Sequence, residues 1–213
     1  MHNLSHRHNL LNSLRQQGIW LISYLLILSI VAWLCTEVWE QEAFSLDRSC
    51  LLWIHQFANP QLDRVMLFIT ALGDPPTVIS IFITTIALLV MRQRYLDGIR
   101  FTIACAGGIL LNQLMKLFFA KPRPELWTRL ITETSFSFPS GHAVGSMVVY
   151  GFIAYILAKE MQQYQHIVYT AALLLIIAIG FSRLYLGVHY PTDIIAGYGI
   201  GFLWLTTCLK VRT

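Results

Sequence analysis

Charge is what this sequence has least of. Only 12% of its 213 residues are Asp, Glu, Lys or Arg, while 56% are hydrophobic. Soluble domains carry about twice that share of charge, and one soluble core of this size could not hide so much apolar surface. Cysteine is sparse too. The four, Cys35, Cys50, Cys105 and Cys208, form no C-x-x-C pair and no metal-ligand spacing, which argues against a disulfide scaffold or a zinc module. Cys105 and Cys208 sit in apolar runs, as small buried hydrophobes do. Nothing repeats, and no low-complexity tract interrupts the chain. No small-residue cleavage site follows the first apolar run; Glu37, Glu40 and Glu42 do, so that run reads as a retained span rather than a signal peptide. The pI of about 9.0 does not point to nucleic acid, because the basic residues lie at span ends and in one compact cluster.

What is there is a series of apolar stretches long enough to cross a bilayer, which takes about 20 residues of helix. The reading is an all-α integral membrane protein, a bundle of six transmembrane helices in a single domain over 1–213. The spans fall near 18–38, 77–91, 99–119, 143–157, 166–181 and 194–209, after an N-terminal tail at 1–17. Segment 40–59, mixed in polarity, reads as an interfacial helix and loop after the first span. The block 62–91 is interrupted by Gly73-Asp74-Pro75-Pro76, which ends a short helix before the second span proper. The N-terminal His2, His6 and His8 read as a solvated terminus rather than a metal tract.

Six spans put both termini on one side. Eight Lys and Arg lie there against seven on the other. Lys116, Arg123 and Arg183 have another task, and with them set aside the positive-inside bias puts both termini in the cytoplasm.

Three clusters fall on the outer side: Lys116 to Arg123-Pro124, Pro139-Ser140-Gly141-His142, and Ser182-Arg183 to His189 and Asp193. Lys116, Arg123 and Arg183 are cations at head-group depth, and guanidinium forks suit phosphate oxygens. Ser140 and Gly141 open the fourth span, where backbone N–H groups favour an anion. His189 and Asp193 are four residues apart. At that spacing a carboxylate can hold one imidazole nitrogen and leave the other as nucleophile. His142 suits the acid/base role. Each cluster alone has a plain structural reading, as a lipid-anchoring belt, a helix start or a helix-end contact. Together on one face they make a cradle for phosphoryl transfer that needs no metal.

Lysine, six residues, Arg-Pro; then Pro-Ser-Gly-His; then Ser-Arg, five residues, His, three residues, Asp: this set over 116–193 resembles the three-part signature of the type 2 phosphatidic acid phosphatase superfamily. That family contains integral membrane lipid phosphatases and, more distantly, soluble acid phosphatases and vanadium haloperoxidases. The resemblance implies that His189 forms a phosphohistidine with Asp193 as its partner, that His142 is the acid/base, and that Lys116, Arg123, Ser140, Gly141 and Arg183 bind phosphate. It implies no cofactor and no metal, and an outer-leaflet lipid phosphate or diphosphate as substrate. Candidates are undecaprenyl diphosphate, phosphatidylglycerol phosphate and phosphatidic acid, as in the bacterial phosphatidylglycerophosphate and undecaprenyl diphosphate phosphatases. The small size and bacterial-type plan point to undecaprenyl diphosphate, in a bacterial plasma membrane.

Two other functions compete. A phosphotransferase would pass the same phosphate to another lipid. A non-enzymatic lipid transporter or binding protein would use the Gly73–Pro76 break, but transporters place charges near the midplane, often in related halves. Partners are the lipid substrate and membrane lipids, with no nucleic acid and no obligate protein partner.

Overall fold

The computed structural model describes residues 2–40 and 44–210, with side chains over 17–40 and 46–210. The described residues form helices and no strand. In chain order these are α1 (His2–Glu40), α2 (Phe44–His55), α3 (Pro60–Ala71), α4 (Pro75–Met91), α5 (Tyr95–Phe119), α6 (Gly141–Glu160), α7 (Gln165–Tyr185) and α8 (Pro191–Lys210), with a short 3₁₀ turn before α7. α1 begins at His2, so residues 2–17 of the segment read as an N-terminal tail run into the first helix. The side chains of His2, His6 and His8, and hence the reading of that terminus, lie outside the described residues.

Among the described residues five stretches are long and apolar enough to cross a membrane: Gln17–Glu40 within α1, and α5, α6, Gln162–Tyr185 and α8. The sixth is the pair α3 and α4, which qualify together and are bent by 43° at their break. The second span of the bundle is therefore a broken helix that starts at Pro60, earlier than the 77–91 expected. Local chemistry explains the bend. Asn59 caps α3 by accepting from the N–H groups of Gln61 and Leu62, with Pro60 in the first turn. Pro75 and Pro76 then cannot continue a preceding helix but can start the next one. α2, at 12 residues, is too short to span and packs against α7 and α8.

Large apolar side chains face outward, where a soluble protein would be polar: Ile22 is 68% exposed, Phe68 69% and Leu117 69%. That surface is matched to lipid, and the chain is an integral membrane protein. α6 and α8 form the centre. They approach closely because Gly197 and Gly201 face α6. A Cβ at Gly197 would lie 2.7 Å from Ala143 Cβ, and one at Gly201 2.8 Å from Met147 Cβ. This is the small-residue contact by which membrane helices pack without a hydrophobic driving force between them.

One end of the bundle is closed by ion pairs joining Arg92 and Arg94 to Glu160, and Arg94 to Asp97. The opposite end gathers the C-termini of α5 and α7 and the N-termini of α6 and α8.

Candidate active site

Each chemical group sits where a helix starts or stops. α5 ends at Ala120, in the left-handed conformation (φ 45°), and its last turn holds Lys116. The Pro-containing segment Lys121–Pro124 then leaves the helix. Ser140 is the N-cap of α6, its hydroxyl accepting from Ala143 N–H. Arg183 occupies the last turn of α7, and the turn that follows needs Gly187 at φ +69°. The Trp127 indole lies 2.6 Å from where a Cβ on that glycine would stand. α8 opens at Pro191 with Asp193 in its first turn.

His189 and Asp193 are fully buried. His189 Nδ1 is 3.4 Å from Asp193 Oδ2 and from Ser137 Oγ. Its Nε2 is 3.2 Å from an Arg123 guanidinium nitrogen. A donor at Nε2 and a carboxylate at Nδ1 together select the tautomer with the proton on Nδ1 and the lone pair on Nε2. Burial pushes the His189 imidazole down to about 3; Asp193 opposes this, while Arg123 and Arg183 add to it. The ring is neutral at physiological pH, with its lone pair toward the cations.

Asp193 is held from three directions. Ser137 Oγ donates to Oδ2 at 2.5 Å, the Tyr190 N–H donates to Oδ2 at 2.9 Å, and Lys121 Nζ contacts Oδ1 at 2.8 Å. Behind it, Asp47 of α2 accepts from the Thr192 N–H at 3.1 Å and from the Thr192 hydroxyl at 2.6 Å, with Lys121 Nζ at 3.4 Å. This buried network is self-satisfied, as buried charge must be.

The cations Lys116, Arg123 and Arg183 are also braced. Arg123 donates to the carbonyls of Ser135 (2.8 Å) and Val188 (2.7 Å). Lys116 donates to the Phe136 carbonyl. Arg183 donates to Thr70 Oγ1 at 2.7 Å and pairs with Glu133, while its buried Nε has no partner among the described residues. Burial alone would raise the Glu133 carboxyl, but Arg183 and Arg123 outweigh it and hold the pKa below the ordinary carboxylate value. Burial depresses Arg123, which as a guanidinium stays charged.

Thus the structure brings Lys116, Arg123, Arg183, Gly141, His142, His189 and Asp193 to one end of one bundle. Ser140 also has a structural task beside the phosphate-binding one expected of it. Its N–H is already donated to the Asp193 carbonyl at 3.1 Å, and its hydroxyl caps α6. It ties the second cluster to the third, and the first N–H groups of α6 left without an intrahelical acceptor are those of Gly141 and His142. A Cβ at Gly141 would lie 3.3 Å from Asn112 Oδ1, so glycine keeps this approach open.

A cavity of about 430 Å³ connects these groups to the bundle interior. Its polar end is lined by Asp74, Lys116, Arg123, Glu133, Gly141, His142 and His189. Below, its walls are Val78 and Ile79 of α4, Cys105, Gly108 and Ile109 of α5, and Val144, Val148 and Val149 of α6. Polar head and apolar shaft have the shape of an amphiphile. Among the described residues no group of three His, Cys, Asp or Glu gathers around one point, and of the two carboxylates at the polar end Glu133 is already paired with Arg123 and Arg183.

Sequence reasoning did not single out Lys121, Asp47, Thr192, Ser137, Glu133, Asn112 or Asp74. Only two carried a signal: Lys121, a further lysine in an already basic cluster, and Asp74, an acid inside an apolar block.

Comparison with known proteins identifies the family. Residues 97–213 match the PAP2 superfamily. The chain is 30% identical to phosphatidylglycerophosphatase B of Bacillus subtilis over 183 residues, covering 84% of this chain and 88% of that protein. It is 30% identical to an undecaprenyl-diphosphatase of Sulfolobus acidocaldarius, covering 88% of each. The crystal structure of a transmembrane PAP2-type phosphatidylglycerolphosphate phosphatase from Bacillus subtilis superposes with a TM-score of 0.80 at 28% identity, over 87% of this chain and 97% of that one. The chain belongs to the PAP2 superfamily, and is an integral membrane enzyme of that family.

Proposed function

We propose that this enzyme hydrolyses a lipid phosphate or diphosphate through a phosphohistidine on His189, without a metal. The observation that carries the reading is the His189 ring, held neutral with Nδ1 on Asp193 and Nε2 beside Arg123. His189 Nε2 attacks phosphorus, and Asp193 stabilises the positive charge that grows on the ring. Lys116, Arg123, Arg183 and the Gly141 N–H neutralise the phosphoryl oxygens. His142 protonates the leaving oxygen and then activates water. The head group occupies the polar end of the cavity, and the apolar shaft and the lipid around it accommodate the tail. The names of the relatives make phosphatidylglycerol phosphate and undecaprenyl diphosphate the first substrates to rank, with phosphatidic acid third.

The active end is assigned to the extracytoplasmic face, with both termini in the cytoplasm. Lys116, Lys121, Arg123 and Arg183 are engaged inside the site, so few basic residues at that end remain to oppose the positive-inside bias.

The test is phosphate release by detergent-purified protein, in EDTA, from these three lipids, beside His189→Ala. Release by the wild type alone supports hydrolysis. Release only when an acceptor lipid is added moves the assignment to phosphate transfer, and equal release by His189→Ala removes His189 as nucleophile.

A further inference from the structure

The break between α3 and α4 does more than end a helix. Asp74, the residue before Pro75, turns its carboxylate into the site, with Oδ1 2.8 Å from His142 Nε2. The break is held in place around that contact. Tyr150 of α6 donates to the Leu72 carbonyl at 2.7 Å, and the Gly73 N–H donates to Thr70 at 2.8 Å. Gly73 backs directly onto the imidazole: a Cβ there would lie 2.6 Å from His142 Cδ2. Position 73 therefore has to be small for the ring to lie against it.

With Nε2 taken by Asp74, Nδ1 is the His142 ring nitrogen without a hydrogen-bond partner among the described residues. His189 is arranged the other way round, with Nδ1 on Asp193 and Nε2 toward the cations. Two carboxylate-backed imidazoles thus serve one cavity through opposite nitrogens. The other charged groups that act on His142 are Arg183 and Glu133.

Building on the reading of His142 as acid/base, we propose that Asp74 is the positioning residue for His142, holding its Nδ1 toward the leaving oxygen and, with the bound phosphate dianion, stabilising the imidazolium that donates from Nδ1. In the first half-reaction the His189 Nε2–phosphorus bond forms and the phosphorus–oxygen ester bond breaks. The departing oxygen takes the Nδ1 proton, and His142 is left neutral with its Nε2–H on Asp74. In the second, water oxygen bonds phosphorus and the phosphorus–nitrogen bond breaks. The water proton returns to Nδ1, releasing hydrogen phosphate and restoring both rings.

The test separates leaving groups. Dodecyl phosphate expels an alkoxide, which needs a proton; dodecyl diphosphate expels a phosphate ester, which leaves without one. kcat/KM reports the steps through leaving-group departure and excludes the later water step. Asp74→Asn keeps a hydrogen-bonding side chain but removes the charge. It is expected to lower kcat/KM on dodecyl phosphate about 100-fold, the lower range for general-acid catalysis, and on dodecyl diphosphate less than about 10-fold. His142→Ala is measured alongside and is expected to separate the two substrates at least as widely. Equal losses in Asp74→Asn, with His142→Ala separating the substrates, overturn the role of Asp74 and leave His142 as the acid. No separation in His142→Ala overturns the acid assignment and the Asp74 proposal with it. If Asp74→Asn does not fold, Asp74→Ser, which keeps a residue favoured at a helix N-cap position, carries the same comparison.

Discussion

Lys121 Nζ lies 2.8 Å from Asp193 Oδ1, on the side of the carboxylate away from the oxygen that faces His189. Both residues are buried, and Lys121 also reaches Asp47 and Thr192. The carboxylate that faces His189 is itself oriented by a lysine two residues beyond α5 and an aspartate on the short helix α2. Loss of one partner from such a buried set leaves an uncompensated charge. Lys121→Ala should therefore cost roughly 3–5 kcal/mol of stability. Thermal unfolding in detergent reads this, and a change within measurement error would show that the pair contributes little.

His189→Ala should remove turnover and leave the fold intact, because the ring packs at one end of the bundle and not between spans. Asp193→Asn should leave residual activity reduced on the order of 10⁴-fold, as when a histidine loses its orienting carboxylate and takes the wrong tautomer. Rates near wild type in either variant would remove the corresponding role.

The pH profile carries its own signature. Because the folded pKa of His189 lies near 3, below its ordinary value of about 6.5, the neutral nucleophile persists as pH falls from 8 to 5. kcat/KM should show no acid limb from His189 in that window. A limb near 6 would belong to the second ionisation of the substrate phosphate and should move when a substrate of different phosphate pKa is used. The stability sign follows from the same shift. Between about 3 and 6.5 the unfolded chain binds the His189 proton and the folded one does not, so this contribution is full above 6.5 and is lost as pH falls toward 3.

Gly197→Ala would set a methyl 2.7 Å from Ala143 Cβ and 3.0 Å from the Ser140 carbonyl. Overpacking of this kind costs typically about 1–3 kcal/mol. Here it also pushes apart the helices whose ends carry the Ser140–Asp193 bond, so kcat should fall together with Tm. Unchanged activity in a destabilised variant would show that the site tolerates movement between α6 and α8.

Vanadate, which adopts the five-coordinate geometry of phosphoryl transfer, should inhibit competitively, and EDTA should leave the rate unchanged. Strict metal dependence would overturn a cradle built from Lys116, Arg123 and Arg183.

The helices were legible because bilayer thickness imposes a run length that composition alone reveals. The signature residues were legible because their spacing is local: His189 and Asp193 share one helix start, and Ser140 to His142 another. The break at Gly73–Pro76 was legible as punctuation, while the direction in which Asp74 points was not.

Sequence by itself determined that this chain lives in a membrane and that its signature residues fall at one end, since hydrophobic length and local spacing depend on nothing distant. Tertiary structure alone decided which charge meets which. Asp47 and Asp193 are 146 positions apart along the chain yet share Lys121, and Asp74 reaches His142 across 68 residues. Such pairings follow from how helices cross, and the crossings are set by packing, by where Gly197 and Gly201 let α8 lie against α6. No window along the chain contains that information.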